Sequence, residues 1–166
     1  MNSIFLPKTL FFVAIFLCTG ACAYYNTFYN AQQYYEEAEK IRLQKEGKNI
    51  PISASDKYGK AIQKCQKVLS DYPESKFRTD AFLLMAKSKF HRKDYDLAID
   101  DLKIVTQEGS DNQIEEAKYL RAQCKWKKGK AQTAIDELTI LLQMSNSKEI
   151  QSKCHLSLAE IAQELN

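Results

Sequence analysis

The chain has 166 residues, 45% of them hydrophobic, with five Gly and three Pro, a composition that fits one compact soluble domain and excludes a disordered or fibrous chain. Lys and Arg number 24 against 21 Asp and Glu, a formal charge of +3, and the basic residues are spread among the acidic ones. That pattern excludes the clustered basic face of a nucleic-acid-binding protein.

The first element in chain order is a leader. Thr9 to Cys18 (TLFFVAIFLC) is an uncharged apolar run, preceded by Lys8 and followed by the small residues Thr19, Gly20 and Ala21, which is the layout of an export signal. From Thr9 to the residue before the polar Asn26 the stretch lasts 17 residues. That is the lower limit for crossing a hydrocarbon core of ~30 Å at ~1.5 Å per residue, so an uncleaved anchor is the less favoured alternative. Thr19-Gly20-Ala21-Cys22 resembles a bacterial lipobox, in which small residues precede a Cys that is lipidated and becomes the new N-terminus. The resemblance implies a signal peptide over residues 1–21, a lipid on Cys22, and, because Ala23 rather than Asp follows, outer-membrane sorting. Ordinary cleavage after Ala23 is the competing outcome, since Ala21-Cys22-Ala23 is also an A-x-A site.

Tyr24 to Lys45 has helical character, and Asp56 to Tyr72 supplies a partner helix. Between them Glu46 to Ser55, with Gly47 and Pro51, reads as an inserted loop. An internal repeat then decides the fold. Ala61-Ile62, Ala98-Ile99 and Ala134-Ile135 recur 37 and 36 residues apart. Three residues before each Ala stands Tyr58, Tyr95 or Ala131; four after it, Cys65, Leu102 or Leu138; seven after it, Val68, Val105 or Leu141. These offsets fall on one side of a helix, so the three segments are amphipathic helices in one register. Asp71-Tyr72-Pro73, Glu108-Gly109-Ser110 and Ser145-Asn146-Ser147 end them.

A second set of helices alternates with the first. Ala86 and Ala122 stand 36 apart, each with an aromatic four residues on, Phe90 and Trp126, and a polar turn beyond, Lys93-Asp94 and Gly129-Lys130. Glu149 to Leu165 repeats a first-helix pattern with no partner after it and is expected to cap the last hairpin. The expectation is an all-α helical-hairpin solenoid over residues 22–166, with seven helices in about three and a half repeats.

The segment Ala81 to Phe90 followed by Lys93-Asp94-Tyr95-Asp96-Leu97-Ala98-Ile99 resembles a full tetratricopeptide repeat (TPR), and Asp111 to Ser145 resembles another. Lys118 and Arg121 stand at usually apolar positions, and Lys89 and Lys125 replace the usual Tyr. With the lipobox and the phrase Val68-Leu69-Ser70-Asp71-Tyr72-Pro73, the chain is similar to the BamD-type TPR lipoproteins of the outer-membrane β-barrel assembly machinery. The resemblance implies a non-catalytic scaffold, without cofactor or small-molecule substrate, that binds a protein or peptide in the envelope. The phrase also recurs in Tol-Pal-associated TPR proteins, so a coordinator of peptidoglycan, Tol-Pal or secretion machinery is the alternative.

Catalytic chemistry is not indicated. His91 and His155 lie on different helices without a ligand or relay partner at suitable spacing. Cys65 sits at an apolar repeat position and reads as a buried small hydrophobe. Cys124 and Cys154 lie on first helices of successive units, where a disulfide is an open alternative. Glu36-Glu37 and Asp100-Asp101 point about 100° apart around their helices and read as solvated faces. Function then falls to the concave side, lined by first helices. Superposing the repeat frames places Phe28, Gln32, Tyr35, Lys87, His91, Tyr119, Gln123 and Lys127 there, an aromatic and amide wall with scattered bases suited to a peptide. For the aromatics, and Tyr35 above all, packing between hairpins is the equal alternative.

Overall fold

The structure, a computed structural model, describes residues 8–45 and 49–165, with side chains from residue 25 onward. The side chains of the leader and of Cys22 lie outside the described residues. Among the described residues there are seven helices and no strand: α1 (Lys8–Gln44), α2 (Ile52–Asp71), α3 (Arg78–His91), α4 (Tyr95–Glu108), α5 (Asp111–Lys127), α6 (Ala131–Met144) and α7 (Lys148–Leu165). The chain is an all-α helical-hairpin solenoid, with α7 spanning the expected cap.

Two boundaries differ from the sequence expectation. The backbone of α1 runs unbroken from Lys8, so the apolar stretch and the first repeat helix form one element. α2 begins at Ile52, four residues before Asp56, which shortens the inserted loop. Pro51 explains the earlier start: with its φ of −57° it is pre-set for a helix start and lacks an N–H that would need a partner.

The repeated apolar frames are the buried stripes. Tyr58, Ala61, Cys65 and Val68 on α2, Ala98, Leu102 and Val105 on α4, and Ala134 and Leu138 on α6 are all fully buried. Ala86 meets Ala98 in one core cluster, and Ala122 meets Ala134 in the next. Small residues at these crossings let the two helices of a hairpin approach closely, so the stripes of α3 and α4, and of α5 and α6, close on each other.

The two inner turns share one geometry. In the turn after α3, Lys93 N–H donates to Phe90 O and Asp94 N–H to Lys89 O; after α5, Gly129 N–H donates to Trp126 O and Lys130 N–H to Lys125 O. Both are Schellman stops, which need a left-handed residue at the bend. Lys93, at φ +68°, and Gly129, at φ +78°, fill it.

Consecutive helices pack throughout, and the first helices also touch one another, α1 with α3, α3 with α5, and α5 with α7, whereas the second helices do not touch each other. Close first helices and splayed second helices curve the array, with the first helices on the inner side. Cys65, Cys124 and Cys154 are buried free thiols, so the alternative of a Cys124–Cys154 disulfide does not hold. Cys65 is the buried apolar residue expected, and burial pushes its thiol up to about 12.

Candidate protein-binding site

The eight wall candidates separate into three groups. Phe28 is core: only 6% exposed, it stacks on Phe77 with ring centroids 4.8 Å apart. It faces α2 and the turn after it rather than an open groove, which corrects the assignment of Phe28 to the wall.

Lys87, Tyr119 and Gln123 lie in the seams between neighbouring first helices. Lys87 Nζ on α3 is 2.7 Å from Glu116 Oε1 on α5. At the equivalent place one repeat later, the buried Gln123 on α5 donates from Nε2 to Ser157 Oγ on α7 at 2.7 Å. The Tyr119 hydroxyl lies 3.1 Å from the same Ser157 oxygen, and its ring packs on the last core cluster. The placement of Gln123 on an open wall is therefore corrected, while Tyr119 is half-buried at the seam. A residue on the inner side of a solenoid helix is covered wherever the next first helix leans against it, and helical rotation alone does not tell the open side from the seam.

Of the rest, Tyr35, His91 and Lys127 lie toward the rim where α1, α3 and α5 end, while Gln32 stands twelve residues before the end of α1. Gln32 and Lys127 are exposed, and Lys127 Nζ sits 3.3 Å from the centroid of the Trp126 ring. Tyr35 is half-buried beside Tyr58 and His91, with centroids 5.7 Å and 6.4 Å away. His91 stacks on Tyr58 at 5.0 Å, and its Nε2 is 3.2 Å from Glu39 Oε1. Glu39 is the hub of this group. Arg42 donates to it through Nε at 3.0 Å and through its terminal nitrogen at 2.7 Å, and the Tyr58 hydroxyl donates to it as well. Burial pushes the Glu39 carboxyl up, but these donors and His91 together hold it below its ordinary range. Because Arg42 already offsets the Glu39 charge, burial dominates at His91 and lowers its pKa to about 4, leaving a neutral imidazole at neutral pH. Burial likewise raises the phenols of Tyr35 and Tyr58. Ring stack and charge hub together form a rigid junction of α1, α2 and α3.

Two charged positions are more ordered than their residue types suggested. Lys89 Nζ contacts Asp101 Oδ2 at 2.6 Å, and Lys125 Nζ contacts Glu137 Oε1 at 2.6 Å. Asp101 is 7% exposed, so of the Asp100-Asp101 pair only Asp100 is a solvated group. The sequence carried a signal for these pairs: both cations and both carboxylates recur 36 residues apart, each pair separated by 12. Lys and an acid at the positions of a usual Tyr–apolar contact replace one inter-helix contact with another.

Among the described residues no group of three or more His, Cys, Asp or Glu could hold a metal ion. The geometry offers a curved inner surface, stiffened by seams and open near the ends of its first helices, which suits holding a partner segment. Comparison with curated proteins returned no match. The family model described as a tetratricopeptide repeat-like domain matches residues 8–139, most of the described array, and the chain belongs to that family of repeat domains, which are generally non-catalytic scaffolds for binding proteins.

Proposed function

We propose that this chain is a lipid-anchored scaffold of the bacterial envelope, held at the periplasmic side of the outer membrane through Cys22 and serving outer-membrane protein assembly in the manner of the BamD-type lipoproteins. The observation that carries this reading is the position of Cys22: it lies on α1, the helix that opens the TPR array, directly after an apolar leader. No linker separates anchor and scaffold. Tyr25 and Tyr29, 58% and 49% exposed, stand one helical turn apart just beyond Cys22, where amphipathic rings suit a headgroup layer. A bacterial lipoprotein carries three acyl chains, and two or more chains anchor stably where one does not.

The decisive comparison is wild type against Cys22→Ala in cell fractions and in labelling with a radioactive fatty acid. Loss of label and of membrane association, with helical circular dichroism unchanged, supports the reading. Equal membrane association of the variant overturns it in favour of an uncleaved anchor, and an N-terminus mapped at Tyr24 replaces it with a soluble exported protein. Affinity purification of the lipidated chain then separates the roles: recovery of a barrel-assembly core protein supports the first, and recovery of Tol-Pal or secretin components supports a structural coordinator.

A further inference from the structure

We propose that the recess where the C-terminal ends of α1, α3 and α5 converge is a binding site for an acidic segment of a protein partner, the segment's carboxylates reaching Lys45, Lys93 and Lys127 while an apolar side chain rests on Phe90 and Tyr95. This rests on the scaffold reading above and adds the chemistry of what the scaffold holds.

The recess has a volume of about 440 Å³, and among the described residues every ionisable side chain in its wall except Tyr95 is basic and no carboxylate lines it. Arg42 is engaged by Glu39 and His91 is neutral, so the uncompensated charge comes from the three lysines. Among the described residues no carboxylate lies within 4.0 Å of the ammonium group of Lys45, Lys93 or Lys127, whereas Lys128, beside Lys127 in sequence, is paired with Asp96. Lys45 and Lys93, with no carboxylate partner among the described residues, and Lys127, whose ammonium rests on the Trp126 ring, line one concavity with an aromatic floor, the complement of a carboxylate-bearing, partly apolar peptide.

The repeat supplies a second, independent observation. Lys93 occupies the left-handed bend that Gly129 fills one unit later at nearly the same φ. Glycine takes that conformation at no steric cost and lysine does not, so the Schellman stop alone would favour Gly at both places. The strained residue stands at the turn that borders the recess, and the relaxed one at the turn that does not. Lysines near helix C-termini also complement the helix dipole, which accounts for Lys127, but Lys93 and Lys45 lie past the last helical residue. A lipid headgroup fits the position less well: Arg42 is 20 residues along α1 from Cys22, roughly 30 Å for a helix standing off the membrane.

The test is a fluorescence titration of the full chain in neutral detergent. The probe is a labelled, end-blocked octapeptide of alternating Glu and Phe; a peptide with Lys for each Glu is the control. The acidic peptide should bind and the basic one should not, with affinity falling steeply as salt rises. Lys93→Glu and Lys127→Glu should each weaken binding about tenfold, and Lys148→Glu, the same charge change on α7, by less than about twofold. Lys93→Gly separates binding from folding: it should weaken binding while the melting temperature holds or rises. No binding by the wild type, equal loss in Lys148→Glu, or a Lys93→Gly protein that binds fully would each overturn the site. Displacement of the peptide by micelles doped with phosphatidylglycerol, abolished by Lys93→Glu, would overturn the peptide assignment in favour of a headgroup. If Lys93→Glu with Lys127→Glu still copurifies the envelope partner, the scaffold reading stands without this recess.

Discussion

At the scale of single residues, much of the chain's order is held by a few enclosed polar groups. His91 is the clearest, flanked by Tyr35, Glu39 and Arg42 from α1, stacked on Tyr58 from α2, and edged by Phe90. Its pKa is lowered from 6.5 to about 4, so between those values the unfolded chain binds a proton that the folded chain refuses. Stability from this group is therefore full above pH 6.5 and is lost as pH falls toward 4. Between pH 7 and pH 5 the loss should be about 2 kcal/mol, and His91→Phe, which keeps a ring on Tyr58, should remove most of it. Urea melts of both proteins at the two pH values decide the matter; parallel pH losses would mean that His91 is protonated in the fold. The Lys89–Asp101 pair makes a second case. With both side chains about nine-tenths buried, removing one partner strands the other, so Lys89→Met should cost about 3 kcal/mol. Adding Asp101→Leu should recover most of that cost, and a double variant no better than Lys89→Met alone would show the pair to be incidental.

At the scale of elements, the hairpin crossing is the governing contact. Ala98 and Ala134 are fully buried where paired helices meet, and a larger side chain has no space there. Ala98→Leu and Ala134→Leu should each destabilise by about 1–3 kcal/mol, read as a fall in melting temperature. If neither moves the transition, the register of the hairpins is wrong. These positions were legible in the sequence because burial within a hairpin follows helical periodicity, and 36-residue recurrence repeats the period three times. The seams were not legible in the same way. Position 87 carries Lys and position 123 carries Gln, two polar residues that read as wall lining, yet each reaches to the next first helix, one to Glu116 and one to Ser157. Contact between repeats depends on how far successive hairpins rotate, and that rotation has no periodic signature in one sequence. Phe28 was misplaced for a related reason: the inserted loop breaks the 36-residue frame between α1 and α2, so superposing repeats gave its helix no reliable phase.

At the scale of the whole molecule, stability travels along the array one neighbour at a time. Each helix packs on the helices before and after it, and each first helix on the next first helix, with no contact between distant hairpins among the described residues. An array of this kind unfolds from its ends unless the centre is weakened. The end at α7 is held by Ile150, Cys154 and Ile161 against the last core cluster, together with the hydroxyl of Ser157 bonded to Gln123 and the Trp126 Nε1–H donated to Glu164 at 2.9 Å. The centre is held by Leu102, fully buried in the cluster that joins α3, α4 and α5. Both residues are buried aliphatics of similar size, so Ile161→Ala and Leu102→Ala should each remove about 3 kcal/mol of local packing, but with different reach. Native-state hydrogen exchange should register the first as faster exchange in α6 and α7 with α1 to α4 unchanged. The second should speed exchange in every helix, because opening the middle hairpin separates both flanks from their support. Uniform acceleration in both variants would mean that the array melts as one cooperative block, with the seam bonds at Lys87 and Gln123 strong enough to couple the ends.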